Sequence, residues 1–199
     1  MEEAKQKASP ENNPADDAKG ARTSFQPAPP ESNPVGWQEP VSTMADREGK
    51  YLTFTLAGEE YGIGILKIKE IIGMMSITSV PQTPSFVKGV INLRGKVIPV
   101  VDLRLRFAMD AIDYNDRTCI IVVEIGGRGT GIVIGIVVDS VSEVLNIKGE
   151  DIEDTPTFGT SLNTDYILGM AKMEGKVKIL LDIDQVLGAE DLESLAKAA

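Results

Sequence analysis

The chain has 199 residues, a net charge of −10 and a pI near 4.6. That acidity argues against nucleic-acid backbones and polybasic membrane anchoring. One cysteine and no histidine exclude an internal disulfide, Ser–His–Asp or Cys–His catalysis and the usual zinc sites.

Residues 1–48 hold seven of the eleven prolines and few large aliphatic side chains. Such a stretch cannot bury enough apolar surface to offset its ordering entropy, so it reads as a disordered, Pro-rich N-terminal tail. Trp37, the one tryptophan, is there either a small docking anchor or simply exposed. No signal-like segment and no run of about 20 apolar residues occurs. The expectation is a cytoplasmic protein without direct membrane insertion.

From Tyr51 onward strands dominate. "YLTFTLAG" alternates, while "YGIGILKIKEIIG", "GVINL", "KVIPVV", "TCIIVVEIG" and "GIVIGIVVDSVSEVL" are rich in Val and Ile and broken by Gly, Asn and Asp. The spacing predicts a mainly all-β fold, a barrel or a sandwich. Asp102 and Asp182 stand where they would cap the short helices "LRLRF" and "IDQVLG". "GGRGTG" (126–131) precedes a strand and reads as a hairpin turn rather than a dinucleotide fingerprint. The carboxylates Glu59–Glu60 and Glu150–Asp151–Asp154 read as solvated loop charge. Residues 189–199 form the predicted C-terminal amphipathic helix. No catalytic, metal or cofactor site is expected.

An internal repeat organises this region. Residues 86–107 align with 166–187 at an offset of 80, and 61–72 with 134–145 at an offset of 73. Gly89, Gly95, Val97 and Asp102 recur as Gly169, Gly175, Val177 and Asp182, and Gly62 and Glu70 as Gly135 and Glu143. Each half then has about five strands, which suits two small packed β-subdomains. At the tip of the first "NLRG" hairpin, Asn92 and Arg94 do not recur; Lys172 and Glu174 replace them. A turn that accepts either sign of charge does not demand Arg94, so its planar fork is read as a recognition group.

The stretches "YGIGILKIKEII", "PSFVKGVINLRGKVIPVVDLRLRF", "YNDRTCIIVVEI", "GIVVDSVSEVL" and "LNTDYILGMAKMEGKVKILLDID" resemble CheW-type chemotaxis coupling proteins. The likeness places a CheW-like domain over 49–192, with 193–199 as the end of the terminal helix. It implies two intertwined five-stranded SH3-like β-barrel subdomains, no catalysis and no cofactor. It implies two partners, the cytoplasmic tip of methyl-accepting chemoreceptors and the regulatory domain of the histidine kinase CheA, and recruitment to membrane-associated receptor arrays. Carried over by residue, the receptor groove includes Ile65, Ile68, Glu70 and Ile71, flanked by Lys88, Asn92, Arg94 and Val97 and faced by Val141 and Val144. A kinase ring contact falls on Phe158. Glu153 and Thr157 stand where the family pattern leads one to expect a basic and an acidic residue, and the loop between Gly126 and Gly135 is longer. An adaptor of another chemosensory-type pathway, such as surface motility, fits the same residues. A CheV-like fusion with a receiver domain needs a longer chain. An oligonucleotide-binding barrel would need clustered basic and aromatic residues, and a hydrolase would have to act without histidine.

Overall fold

The computed structural model describes residues 47–126, 131–156, 164–173, 175–187 and 191. The tail before Arg47, Trp37, Thr157, Phe158, Glu174 and all of the expected terminal helix except Asp191 lie outside them.

Eleven strands follow in order among these residues: β1 (Gly49–Leu56), β2 (Glu59–Gly64), β3 (Ile68–Gly73), β4 (Val87–Leu93), β5 (Lys96–Asp102), β6 (Cys119–Ile125), β7 (Ile132–Val138), β8 (Ser140–Ile147), β9 (Ile152–Glu153), β10 (Ile167–Met173) and β11 (Lys176–Leu181). Two one-turn helices, α1 (Leu103–Arg106) and α2 (Ile183–Val186), follow β5 and β11. Each starts at the predicted aspartate. Asp102 accepts from the Arg104 and Leu105 N–H groups, and Asp182 from that of Asp184, filling donors that a helix start leaves open. β6 and β7 pair antiparallel from Cys119↔Val138 to Ile125↔Ile132, so "GGRGTG" joins the arms of a hairpin.

The strands form two sheets, β8-β1-β2-β11-β10-β9 and β3-β6-β7-β5-β4. Each rolls around a small core fed from both of its edges. In the first, here barrel A, that core holds Tyr51, Ile147, Ile152, Ala171 and Leu180. In the second, barrel B, it holds Ile91, Ile98, Val100, Ile120, Val122 and Val137, with Ile72 and Leu93 packed on it. A larger core lies between the barrels, where Leu52, Phe54, Ile63, Val101, Ile121, Val123, Ile136 and Leu181 meet.

The two halves of the repeat do not fold separately. β1 and β2 join β8–β11 from the second half, while β6 and β7 join β3–β5 from the first. The crossover is a parallel pairing in each barrel: Leu180 lies beside Gly62, and Val100 beside Gly135. These pairs are related by the offsets 80 and 73 read from the sequence. The glycines are needed there because the chain packs closely. A Cβ on Gly62 would lie 2.9 Å from Leu180 Cδ2, and one on Gly135 2.7 Å from Ile120 Cγ2.

Glu60 corrects one sequence expectation. It is not loop charge. It sits half-buried on β2 and pairs with the buried Lys178 of β11. The other acids are nearer the surface: Glu150 pairs with Lys148, and Asp154 with Arg47.

Candidate functional site

Ile68 and Ile71 are three residues apart on one strand, so regular pleating would send them to opposite faces. A register shift between Ile68 and Glu70 prevents this. Ile68 lies opposite Val123 and Ile71 opposite Ile121, and both partners belong to the central core. β8 repeats the device. Its register shifts between Leu52 and Phe54, which puts Val144 opposite Leu52 and Val141 opposite Phe54, again both in the central core. Bulges of this kind re-aim side chains. Val141 and Val144 are the repeat counterparts of Ile68 and Ile71.

The result is apolar surface over the central core, on the edge strands β3 and β8 of the two sheets. Ile65, Ile68 and Val141 are partly buried on the central core. Ile71 and Val144 remain 45% and 49% exposed. The Cys119 thiol, whose residue lies opposite Gly73 at the end of β3, packs with Val141 against the central core. Burial pushes that thiol's pKa up and keeps it protonated and unreactive.

Glu70 faces the other way, over the small core of barrel B, since it lies opposite Val122. Its carboxylate accepts from Arg94 Nη2 at 2.7 Å. Arg94 is 78% exposed, so most of its donors remain open. Both residues line an open groove of about 610 Å³ at the mouth of barrel B, together with Val97, Leu93, Ile98 and Val133. The backbone here is unusual. Arg94 and Gly95 both have positive φ, at 51° and 83°, the geometry of a tight hairpin that prefers Asn-Gly. An arginine in that conformation costs about 1 kcal/mol. The turn therefore tolerates Arg94 rather than selecting it. Asn92 is different: its Oδ1 accepts from the Gly95 N–H at 2.8 Å, so it holds the turn closed.

The structure thus packs Ile65, Ile68 and Val141 on the central core, leaves Ile71 and Val144 exposed on β3 and β8, and sets Glu70, Asn92, Arg94 and Val97 at one tip. Lys88 stands apart. It lies six positions before Arg94, roughly 20 Å along an extended strand, with its Nζ over the Tyr114 ring at 5.9 Å. Glu153 is paired with Lys172 at 2.6 Å. Leu66, the groove floor at Ile98 and Val133, and the Lys69–Glu124 pair on its rim were not singled out from the sequence. Leu66 was detectable there, because its repeat counterpart is Asp139.

Residues 50–191 match the family model described as a CheW-like domain. The chemotaxis protein CheW of Klebsiella aerogenes is 43% identical over 143 residues, covering 72% of this chain and 84% of that protein. CheW of Rhizobium meliloti is 34% identical, with 72% and 90% covered. The crystal structure of the scaffolding protein TtCheW from Thermoanaerobacter tengcongensis superposes with a TM-score of 0.63 at 37% identity, covering 72% of this chain and 95% of that one.

Proposed function

The chain belongs to the CheW family of chemotaxis scaffold proteins, and on that premise we propose that it is a non-catalytic adaptor coupling methyl-accepting chemoreceptors to the histidine kinase CheA. It works in the cytoplasm and is recruited to membrane-associated receptor arrays. The observation that carries this reading is the apolar surface of Ile68, Ile71, Val141 and Val144, with the Glu70–Arg94 pair on β3. A helix of the receptor tip lays its apolar side chains along this surface. Burial of a few such anchors supplies affinity. Arg94 offers its open donors to a carboxylate or carbonyl on the helix and sets register. CheA binds through its regulatory domain on the second subdomain, and Phe158 closes a ring contact.

The adaptor performs no bond chemistry. It favours receptor–kinase geometries in which autophosphorylation is controlled, which is a coupling free energy between two binding events. The test is reconstitution with a receptor signalling fragment, CheA and ATP. A large rise in autophosphorylation that needs all three proteins is expected; no rise despite intact pairwise binding would defeat the coupling role. In the same assay Arg94→Asp should weaken receptor binding about tenfold or more and leave CheA binding near wild type. Equal loss for both partners, with altered circular dichroism, would make Arg94 structural.

A further inference from the structure

Among the described residues the chain passes between the barrels twice. Residues 65–67 carry it from β2 of barrel A to β3 of barrel B, and Asp139 alone carries it back from β7 to β8. At each crossing a carboxylate joins three segments. Asp139 accepts from Arg104 Nε and Nη2 on α1, both at 2.6 Å, and from the Ala57 N–H just past β1 at 2.9 Å. Asp184 on α2 pairs with Lys67 and accepts from the Gly126 N–H just past β6, also at 2.9 Å. Each clamp therefore ties the helix that follows one barrel's strands to a strand end of the other barrel, through the crossing between them.

The repeat shows one device used twice with its charges exchanged. Arg104 and Asp184 are counterparts. So are Ala57 and Gly126, because Thr53 and Val122, four residues before them, pair with the counterpart glycines Gly62 and Gly135. Asp139 is the counterpart of Leu66, the neighbour of Lys67. In one clamp the carboxylate sits on the crossing and the cation on the helix; in the other the places are reversed. Both keep a carboxylate that serves a cation and a strand-end N–H together. The two differ in strength. Arg104 grips with two parallel bonds in a largely buried pair on a one-residue crossing. Lys67 is a point charge in a pair more open to solvent, on a three-residue crossing.

We propose that the two clamps fix the angle between the barrels and so position Ile68 and Ile71 relative to Val141 and Val144, with Lys67–Asp184 the joint that yields first. Lys67 directly precedes Ile68, the first residue of β3, and Asp139 lies two residues before Val141. A change of angle at either crossing is thus passed straight to β3 or β8. The consequence for binding rests on the receptor reading above; the joint itself does not.

The test is measurement of amide residual dipolar couplings on the isotope-labelled full chain, without any partner. Couplings from the two barrels of the wild-type chain should fit one alignment tensor. Asp184→Asn keeps an acceptor for the Gly126 N–H but removes the charge, and Lys67→Met removes the other partner. Each should make the barrels require separate tensors, and Lys67→Arg should restore the shared one. Asp184→Asn should also weaken binding of a receptor signalling fragment about threefold or more. One shared tensor in both Asp184→Asn and Lys67→Met overturns the clamp. Receptor affinity unchanged in a variant whose barrels have come apart overturns the positioning role. A wild-type chain that binds no receptor fragment would defeat the adaptor reading instead, and the couplings would still decide the clamp.

Discussion

The mouths of the two barrels are the same piece of architecture finished in opposite ways. At the mouth of barrel B, Ile98 and Val133 line an open groove. Their repeat counterparts in barrel A are Lys178 and Glu60, which form a largely buried ion pair. Likewise Val122, buried in barrel B, corresponds to the buried Thr53, whose hydroxyl donates to the Glu143 carbonyl at 2.9 Å. Barrel A therefore uses polar groups that satisfy each other, and barrel B keeps an apolar, accessible mouth rimmed by Arg94 and Glu70. The fold tolerates either solution. The open mouth is the one that shares β3 with the surface proposed to receive the receptor helix.

Breaking the pair in barrel A should have the largest effect on this contrast. Lys178→Met strands the Glu60 carboxylate and should cost about 3 kcal/mol of unfolding free energy, read by urea denaturation. The double change Glu60→Val with Lys178→Ile, which copies barrel B, should be near neutral or stabilising by about 1 kcal/mol or more. The crossover glycines sharpen the comparison next. Gly135→Ala meets the stiff, β-branched Ile120 and Val100, whereas Gly62→Ala meets the more adaptable Leu180. Expected costs are about 2 and about 1 kcal/mol, measured the same way.

Acid should also separate the barrels. The hydrogen bond from Lys178 outweighs burial and holds Glu60 below the ordinary carboxylate range. At Asp139 burial pushes up, but the Arg104 guanidinium and the Ala57 N–H together bring it down. Both folded-state pKa values lie below their unfolded values. The stability they contribute is therefore complete at neutral pH, and is lost as pH falls from about 4 through the folded values. Urea midpoints at neutral pH and near pH 3 should differ less in the Glu60→Val, Lys178→Ile protein than in wild type. The smallest expected effect is at the tip. Arg94→Asn relieves the positive-φ turn at the loss of one exposed ion pair, so thermal unfolding should stay within about 0.5 kcal/mol of wild type. Receptor binding should still fall, separating function from stability at this residue.

Much of this architecture was legible in the chain itself. Val/Ile-rich runs marked the strands, Asp102 and Asp182 marked the helices, and the offsets of 73 and 80 reappear in the Leu180–Gly62 and Val100–Gly135 pairs. The exchange of strands between halves left no local mark, because it is decided by pairings far apart in sequence. The bulges were hidden for a related reason. Ile68 and Ile71 have a spacing that fits a helix as well as it fits a bulged strand. Glu60 was misread because its neutralising partner, Lys178, lies 118 positions away. Asn92 was assigned to recognition alone, since its hydrogen bond to the Gly95 N–H depends on a turn geometry that no composition displays.

The exchanged strands also set an order of assembly. Every strand of barrel B lies between Ile68 and Val138, so that barrel can close while the rest of the chain is still being synthesised. Among the described strands the β1–β2 hairpin is made first but must wait longest, because its parallel neighbour β11 is the last of them to emerge. Until then the face of Tyr51 that packs with Ala171 and Leu180 has no barrel to complete. At typical elongation rates of about 5–20 residues per second that interval lasts seconds, long compared with hairpin formation. The earliest of the described strands are thus the latest to have their own barrel closed, and their open edge is where a folding helper or an aggregating neighbour would find the chain.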